Sequence, residues 1–397
     1  MTGRNLSGTI TVMKSPPFFS TVVKGAFLGR PNRFIVECRV KNKPIRAYLP
    51  NPGRLWELFF PGTVLYLTKR DASLGGKTEF TVVAVERVGI PIMLHTHVNN
   101  LVARQLIERG RIPGLEQPKA MKPEFAIGRS RFDFLLDQNG KNVIVEVKFC
   151  TLVGDKIAMF PDAVTVRGKR HLLELAELSK SGTKTTVIFI VHWSRARYFM
   201  PEHHTDLEFA RTLLAVKDDV MVRAVSVGWS RDLMLEDAGR DLIIPWKLVK
   251  QEAHDSGSYI VILRLMRDRN IFVGSLGEVR FRKGYYCCVG SARTNLTKSI
   301  DRHWRLSKNL QWHIDYLRSE ADFHAALPVR ASEDMECAIA KELSGIAEWT
   351  VPDFGSSDCN CPGHLFGMIE DPVHTPSFIK VLQYFRIDRL EKYLGND

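Results

Sequence analysis

Ser130–Asp137 reads SRFDFLLD and Asn142–Lys148 reads NVIVEVK, and Asn139-Gly140 lies between them. Both stretches are short, rich in aromatic and β-branched residues and patterned with period two, and Asn-Gly is a strong hairpin signal. Side chains alternate along a strand, so Glu146 and Lys148 share one face while Val143, Val145 and Val147 take the other. Phe132, Phe134 and Leu136 likewise fall on one face of the first stretch, with Asp133 opposite. Paired as a hairpin, the two stretches are expected to give one hydrophobic wall and one face with two carboxylates beside an ammonium. Two carboxylates on adjacent strands suit a hard divalent cation such as Mg2+ or Mn2+. A neighbouring lysine suits the orientation of an attacking water at a phosphodiester. Glu-x-Lys on a strand more often marks a solvated face, and Asp133 is what turns the pattern towards chemistry. Asp133 and Glu146 are thus the candidate metal ligands, and Lys148 completes the catalytic set.

The chain has 397 residues, 45% hydrophobic and 25% charged, enough for two or three domains. The mean hydropathy is −0.12. No apolar run approaches a membrane span, and the beginning of the chain lacks the apolar core of a secretion signal. Seven cysteines without disulfide-framework spacing suit a reducing cytoplasm. A formal charge of +12 favours a polyanionic partner, DNA or RNA, while the lack of an apolar span argues against a membrane partner. There is no Walker-type phosphate loop, no dinucleotide glycine fingerprint, no evident Ser-His-Asp arrangement and no helix-turn-helix signature.

Residues 1–21, ending near Ser15-Pro16-Pro17, read as a lead-in. Over 22–95, strand-like runs at Arg33–Val40, Arg46–Tyr48, Thr63–Thr68 and Phe80–Val88, broken at Asn51-Pro52-Gly53 and Gly75-Gly76, predict a five-stranded OB-like barrel. Lys24, Arg30, Arg33, Arg46 and Arg54 would stud its surface, with Arg54 after the Pro-Gly turn as the phosphate contact. Over 96–232, a helix at Val98–Gly110 carries an apolar stripe of Val98, Leu101, Val102, Leu106 and Ile107, capped by Asn99 or Asn100. A Pro-rich connection, Pro113–Pro123, precedes the central hairpin. Arg167-Gly168-Lys169-Arg170-His171 then opens a helix at Leu172–Ser179. Cations at a helix N-terminus oppose the macrodipole unless that end faces an anion. Arg167, Lys169, Arg170 and His171 are therefore expected to contact nucleic acid, and Arg54 and Arg131, on other elements, are candidates beside them. Buried strands at Val187–His192 and Val220–Val227, around a helix near Asp206–Val216, complete an α/β domain with a mixed sheet.

Residues 233–256, through Glu236-Asp237, read as a linker. A second α/β unit, 257–370, has strands at Gly257–Ile262 and Gly284–Ala292, a hairpin of Ile271–Gly274 with Val279–Phe281, and Glu336 in a helix beginning near Ser332-Glu333. A C-terminal helical segment, 371–397, includes a helix at Asp388–Tyr393. Cys359-Asn360-Cys361-Pro362-Gly363-His364 offers three soft ligands in one loop, while a closed zinc site needs a fourth. Cys337 is one source, which the sequence alone does not select, and an unmetallated loop is the favoured reading.

Residues 22–230 resemble the sugar fermentation stimulation protein A (SfsA) family. The matching strings are Pro50-Asn51-Pro52-Gly53-Arg54-Leu55, Ser130-Arg131-Phe132-Asp133-Phe134, Glu146-Val147-Lys148, Phe160-Pro161-Asp162-Ala163 and Arg167-Gly168-Lys169-Arg170-His171-Leu172. The resemblance implies an OB-like domain joined to a PD-(D/E)xK nuclease domain, with Asp133 and Glu146 as metal ligands and Lys148 as the catalytic lysine. Phe149 and Val166 depart from the family pattern without removing a catalytic group. Residues 257–367 resemble a GIY-YIG-related domain of unknown function, through Gly257-Ser258-Tyr259, Gly284-Tyr285-Tyr286, Val289-Gly290-Ser291-Ala292, Arg302-His303, Trp312-His313-Ile314-Asp315-Tyr316-Leu317 and Phe354-Gly355-Ser356-Ser357-Asp358-Cys359. That resemblance implies site positions at Tyr259, Tyr286, Gly290, His303 and Glu336. Cys288 stands at the second tyrosine position and Ser299 at the arginine position, with Lys298 or Arg302 as substitutes. A thiol presents no phenol, and a serine cannot clamp a phosphate as a guanidinium does. The expected protein is a multidomain α+β and α/β nuclease, cytoplasmic and metal-dependent, with a binding rather than cutting second module. The alternatives are a DNA-binding regulator without catalysis and an interaction scaffold. Strand preference, endo- or exonucleolytic attack and oligomeric state, a homodimer being one option, stay open.

Overall fold

The computed structural model describes residues 18–70, 78–128, 130–236, 239–306 and 309–395. The expected lead-in up to Pro17, the Gly75-Gly76 turn and Asp237 lie outside the described residues. Asn139 and Gly140 form the hairpin turn with φ of 56° and 77°, left-handed values that a type I′ turn requires.

Five strands build the N-terminal barrel: β1 (Val22–Asn32), β2 (Ile35–Val40), β3 (Lys43–Tyr48), β4 (Val64–Lys69) and β5 (Phe80–Arg87). Their order is β3-β2-β1-β4-β5, and parallel pairing of β3 with β5 at Ala47↔Phe80 and Tyr48↔Thr81 closes it. Closure removes the exposed edges of an open sheet. A sixth strand, β6 (Ile90–Met93), pairs with β5 and leads into helix α1 (Asn99–Glu108). In α1, Leu101 is 54% exposed and drops out of the expected stripe. Asn99 is buried inside the first turn, and no side chain caps the helix.

The central sheet follows with β7 (Ala120–Ile127), β8 (Ser130–Gln138) and β9 (Lys141–Cys150). After short strands β10 (Leu152–Val153) and β11 (Ile157–Phe160) come α2 (Val166–Lys180), β12 (Lys184–Val191), β13 (Tyr198–Pro201), α3 (Leu207–Val216), β14 (Met221–Ser226) and β15 (Arg240–Asp241). The order is β15-β14-β12-β9-β8-β7, with β12 parallel to both β9 and β14. β7 begins, at Ala120, inside the stretch expected to be a connection. It is an edge strand exposed along most of its length, and Pro123 is tolerated because one side of it is unpaired.

Parallel pairing brings helices to both faces, so the expected single hydrophobic wall is replaced by burial on both sides. Val143, Val145 and Val147 pack with α1, and Ile144 packs on the opposite face with Leu172 and Leu175 of α2. Phe132, expected beside Phe134 and Leu136, turns into that opposite core: pairing of β8 with β9 begins only at Phe134, and β7 is irregular at Glu124. The same core continues into the barrel through Val36, Leu65 and Val82.

The stretch read as a linker contains β15 and a helix, α4 (Trp246–Glu252), whose Leu248 and Val249 are buried. The C-terminal unit has β16 (Gly257–Leu265), β17 (Arg269–Phe272), β18 (Glu278–Phe281), β19 (Gly284–Ala292), α5 (Leu296–Trp304), α6 (His313–Arg318), β20 (Asp322–Arg330), α7 (Glu336–Ser344), β21 (Trp349–Val351), β22 (Leu365–Met368) and α8 (Pro376–Arg386). Its sheet runs β20-β16-β19-β22-β21, antiparallel throughout. Phe378, Ile379, Leu382 and Phe385 of α8 fill the core of this unit. Among the described residues no helix is long and apolar enough to cross a membrane.

Candidate metal and nucleic-acid site

A cleft between the barrel and the central sheet collects Asp133, Glu146 and Lys148 together with Arg33, Asn51 and Arg167. Asp133 sits on β8 beyond the stretch that pairs with β9, where its carboxylate can turn across to the neighbouring strand. The Val147 N–H donates to its Oδ2 at 2.7 Å, and Asn100 Nδ2 of α1 donates to Oδ1 at 2.8 Å. Burial first, and then the charge of Glu146, push the Asp133 carboxyl above its usual range.

Glu146 is held from two directions. Lys148 Nζ donates to its Oε1 at 2.5 Å, and His171 Nδ1 meets the same oxygen at 2.6 Å. Burial raises this carboxyl, but the His171 hydrogen bond and the Lys148 ammonium outweigh it and hold the group below its ordinary value. The other oxygen, Oε2, is buried without a hydrogen-bond partner. An orphaned buried carboxylate oxygen is costly unless something electropositive faces it. The two candidate ligands, Asp133 and Glu146, offer carboxylate oxygens, which suit a hard divalent cation.

The expected nucleic-acid contacts are dispersed. Thr165 and Arg167, at the start of α2, line the cleft, with Thr165 capping the helix by accepting from the Gly168 N–H. His171 does not face the cleft surface: it is 1% exposed and committed to Glu146, so its role as a phosphate contact is corrected. Lys169 pairs with Glu208 at 2.8 Å, Arg170 with Glu174 at 3.6 Å, and Arg131 with Glu124 at 3.3 Å. The Arg54 guanidinium lies over Trp56 and lines both the hollow with Arg386 and a second hollow that shares Arg33, Pro52, Gly53 and Ala163 with the cleft. Of the barrel cations, Arg33 is the one that lines the cleft, while Arg46 pairs with Glu37 and Arg30 binds the Arg54 and Asn51 carbonyls. Asn100 and Arg33 are site residues the sequence reading missed, since each reaches the cleft from an element remote in the chain.

In the C-terminal unit, Tyr259, Cys288, Gly290, His303 and Glu336 line one pocket. The Tyr259 hydroxyl lies 3.0 Å from His303 Nε2, and a Cβ on Gly290 would come within 2.6 Å of that hydroxyl. Tyr286 is instead fully buried in the sheet with its hydroxyl donating to the Arg282 carbonyl, so it is removed from the site. Arg302 holds Asp315 with two nitrogens, at 3.0 and 2.7 Å, and is thereby engaged away from the missing arginine's task. Glu336 Oε1 meets His364 Nδ1 at 2.8 Å.

Three family models match the chain: the SfsA N-terminal OB domain over residues 28–94, the sugar fermentation stimulation protein RE domain over 97–232, and domain of unknown function DUF123 over 258–386. The sugar fermentation stimulation protein homolog of Methanothermobacter thermautotrophicus is 40% identical over 192 residues, covering 48% of this chain and 79% of that protein. The homolog from Methanosphaera stadtmanae is 40% identical over 193 residues, covering 48% of this chain and 80% of that protein. Among solved structures, Pyrococcus furiosus SfsA in complex with Ca2+ is 30% identical, with a TM-score of 0.53, covering 58% of this chain and 99% of that one.

Proposed function

The chain belongs to the sugar fermentation stimulation protein family, and from that premise we propose that it is a divalent-metal-dependent nuclease acting on DNA or RNA, with the C-terminal unit as a non-cutting accessory. The observation that carries this reading is the Asp133–Glu146–Lys148 set, with Glu146 buried and the other two half-buried, in a cleft between two domains, and with one oxygen of Glu146 unpartnered. The oxygen donors fit Mg2+ or Mn2+, and the solved Pyrococcus furiosus relative is a Ca2+ complex. Asp133 and Glu146 would hold a divalent ion, which when bound would supply Lewis-acid chemistry at the scissile phosphate.

The chain's own groups supply the rest. Asn100 and the Val147 N–H fix Asp133, and His171 fixes Glu146, so both carboxylates are pre-aimed before substrate arrives. Lys148 Nζ offers its remaining donors to an attacking water and to the equatorial oxygens of the phosphorane. Arg33 and Arg167 line the walls where a strand's neighbouring phosphates would lie.

The test is cleavage of labelled single- and double-stranded DNA and RNA with Mg2+, Mn2+ or EDTA, with wild type and Lys148→Ala side by side. Cleavage that needs metal and falls by about 100-fold or more in Lys148→Ala, with binding largely kept, is the expected outcome. Wild-type cutting by Lys148→Ala, or binding without cutting under every metal condition, would sink the assignment, and the second result would favour a DNA-binding regulator.

A further inference from the structure

Residues 352–364 join β21 to β22 without regular secondary structure. Cys359, Cys361 and His364 of this loop meet Cys337, which comes from the first turn of α7. Three thiol sulfurs and one imidazole nitrogen all lie within 4.8 Å of one another. Bond lengths of about 2.3 Å to sulfur and 2.0 Å to nitrogen set the ligand atoms of a tetrahedral zinc about 3.5–3.8 Å apart. Cys359 Sγ already stands 3.5 Å from His364 Nε2.

The second ring nitrogen strengthens the case. His364 is almost fully buried, and its Nδ1 meets the Glu336 carboxylate at 2.8 Å. A proton on Nδ1 shared with that carboxylate leaves the Nε2 lone pair facing the thiols. Carboxylate, histidine and metal in that sequence is how ligating imidazoles are oriented.

We propose that Cys337, Cys359, Cys361 and His364 hold one structural Zn2+, with Glu336 as the positioning residue for His364. Four protein ligands close the coordination sphere, so the ion ties the loop to α7 and performs no hydrolysis. Gly355, Ser357 and Asp358 of the same loop form one wall of the pocket containing Tyr259, Cys288 and His303. Zinc therefore shapes that pocket, and it commits Glu336 to a neighbour's ring instead of to a catalytic ion.

The experiment uses the full chain, purified without a metal-chelating tag, with metal content read by plasma mass spectrometry. One zinc per chain is expected, falling to below half in both Cys337→Ser and Cys361→Ser but unchanged in Asp133→Asn. Co2+ in place of zinc should give the thiolate charge-transfer and intense d–d absorption of a tetrahedral sulfur site. Glu336→Gln should keep the zinc but weaken it by about 10–100-fold in chelator competition. Should the cysteine variants fail to fold, thiol counting on wild type decides: Cys38, Cys150, Cys287 and Cys288 are buried, so chelation should unmask the three ligand thiols. Absence of zinc with those thiols reactive from the start, a disulfide among them, or zinc lost on Asp133→Asn would each overturn the proposal.

Discussion

Replacing His171 with alanine separates the two roles open to this residue. As a member of the Arg167–His171 basic cluster it would contact a phosphate. In the structure its Nδ1 instead meets Glu146 Oε1 at 2.6 Å, with the imidazole 1% exposed and the carboxylate side chain 6% exposed. A hydrogen bond to a charged group in such surroundings is worth about 1.5–3 kcal/mol. At about 1.4 kcal/mol per tenfold, any equilibrium that needs Glu146 in place should weaken by roughly 10–150-fold. Second-layer partners of metal ligands cost about the same when removed. Calorimetric titration of Mn2+ into the full chain reads this directly, with circular dichroism to confirm that the fold persists. His171→Gln, which keeps a donor near the same carboxylate, should recover part of the loss. DNA affinity measured in EDTA should change little, because the side chain does not reach the surface and its link to the cleft wall is a long 3.4 Å bond from Arg167 Nε. Unaltered Mn2+ affinity together with weaker DNA binding in EDTA would refute the assignment and restore the phosphate-contact role.

Two further predictions concern stability. Arg389 and Glu252 form a buried ion pair at 2.5 Å with side chains 3% and 0% exposed; Arg389→Ala should destabilise by about 3–5 kcal/mol by stranding the carboxylate, and Glu252→Leu with Arg389→Leu together should restore most of the urea midpoint, whereas a midpoint unmoved by the single change would show the pair to be inert. Burial, then the neighbouring Asp162, push the Glu57 carboxyl from the ordinary 4.5 to about 8; a raised carboxyl subtracts stability as pH climbs through that window, so the urea midpoint of Glu57→Gln should gain on wild type between about pH 4.5 and 8 and level off above, and a gap that stays constant with pH would contradict the burial argument.

The central hairpin and its three polar residues were legible because their logic is local. Asn-Gly demands a primed turn, period two sorts the valines from Glu146, and Asp133 is only thirteen positions away. The whole strand Gly284–Ala292 and the capped helix after Asp206 were readable for the same reason. β7 was not, because a strand exposed on both faces has no alternation to display. His171 was readable in retrospect: Gly168, His171, Leu172, Leu175 and Ala176 recur at helical spacing and all point inward. Arg167, one turn before His171, shares its side of the helix and donates from Nε to its Nε2 at 3.4 Å, whereas Lys169 and Arg170 pair with Glu208 and Glu174 on the solvent side. Arg54 and Cys337 were decided by contacts between distant parts of the chain, which no local pattern encodes.

The same distant contacts bear on how the modules can be separated. α4 and the C-terminal segment share a core with strands β11 and β13, through Leu248, Val249, Ile387 and Leu390 against Ile157 and Met200. Tyr198 donates to the Leu394 carbonyl at 2.9 Å, the Asp155 N–H donates to Asp388 at 3.0 Å, and Gln383 donates to the Val153 carbonyl at 3.1 Å. Trp56 and Phe60 of the barrel pack against the core of the C-terminal unit. A cut near residue 240 would therefore expose Ile157, Met159 and Met200 and unpair several part-buried groups, rather than release a self-sufficient first unit. Loss of cleavage after such a cut would say nothing about where the chemistry resides, because unfolding of the cleft accounts for it equally well. Point changes inside each site, with the full chain kept, are the separation that this packing permits.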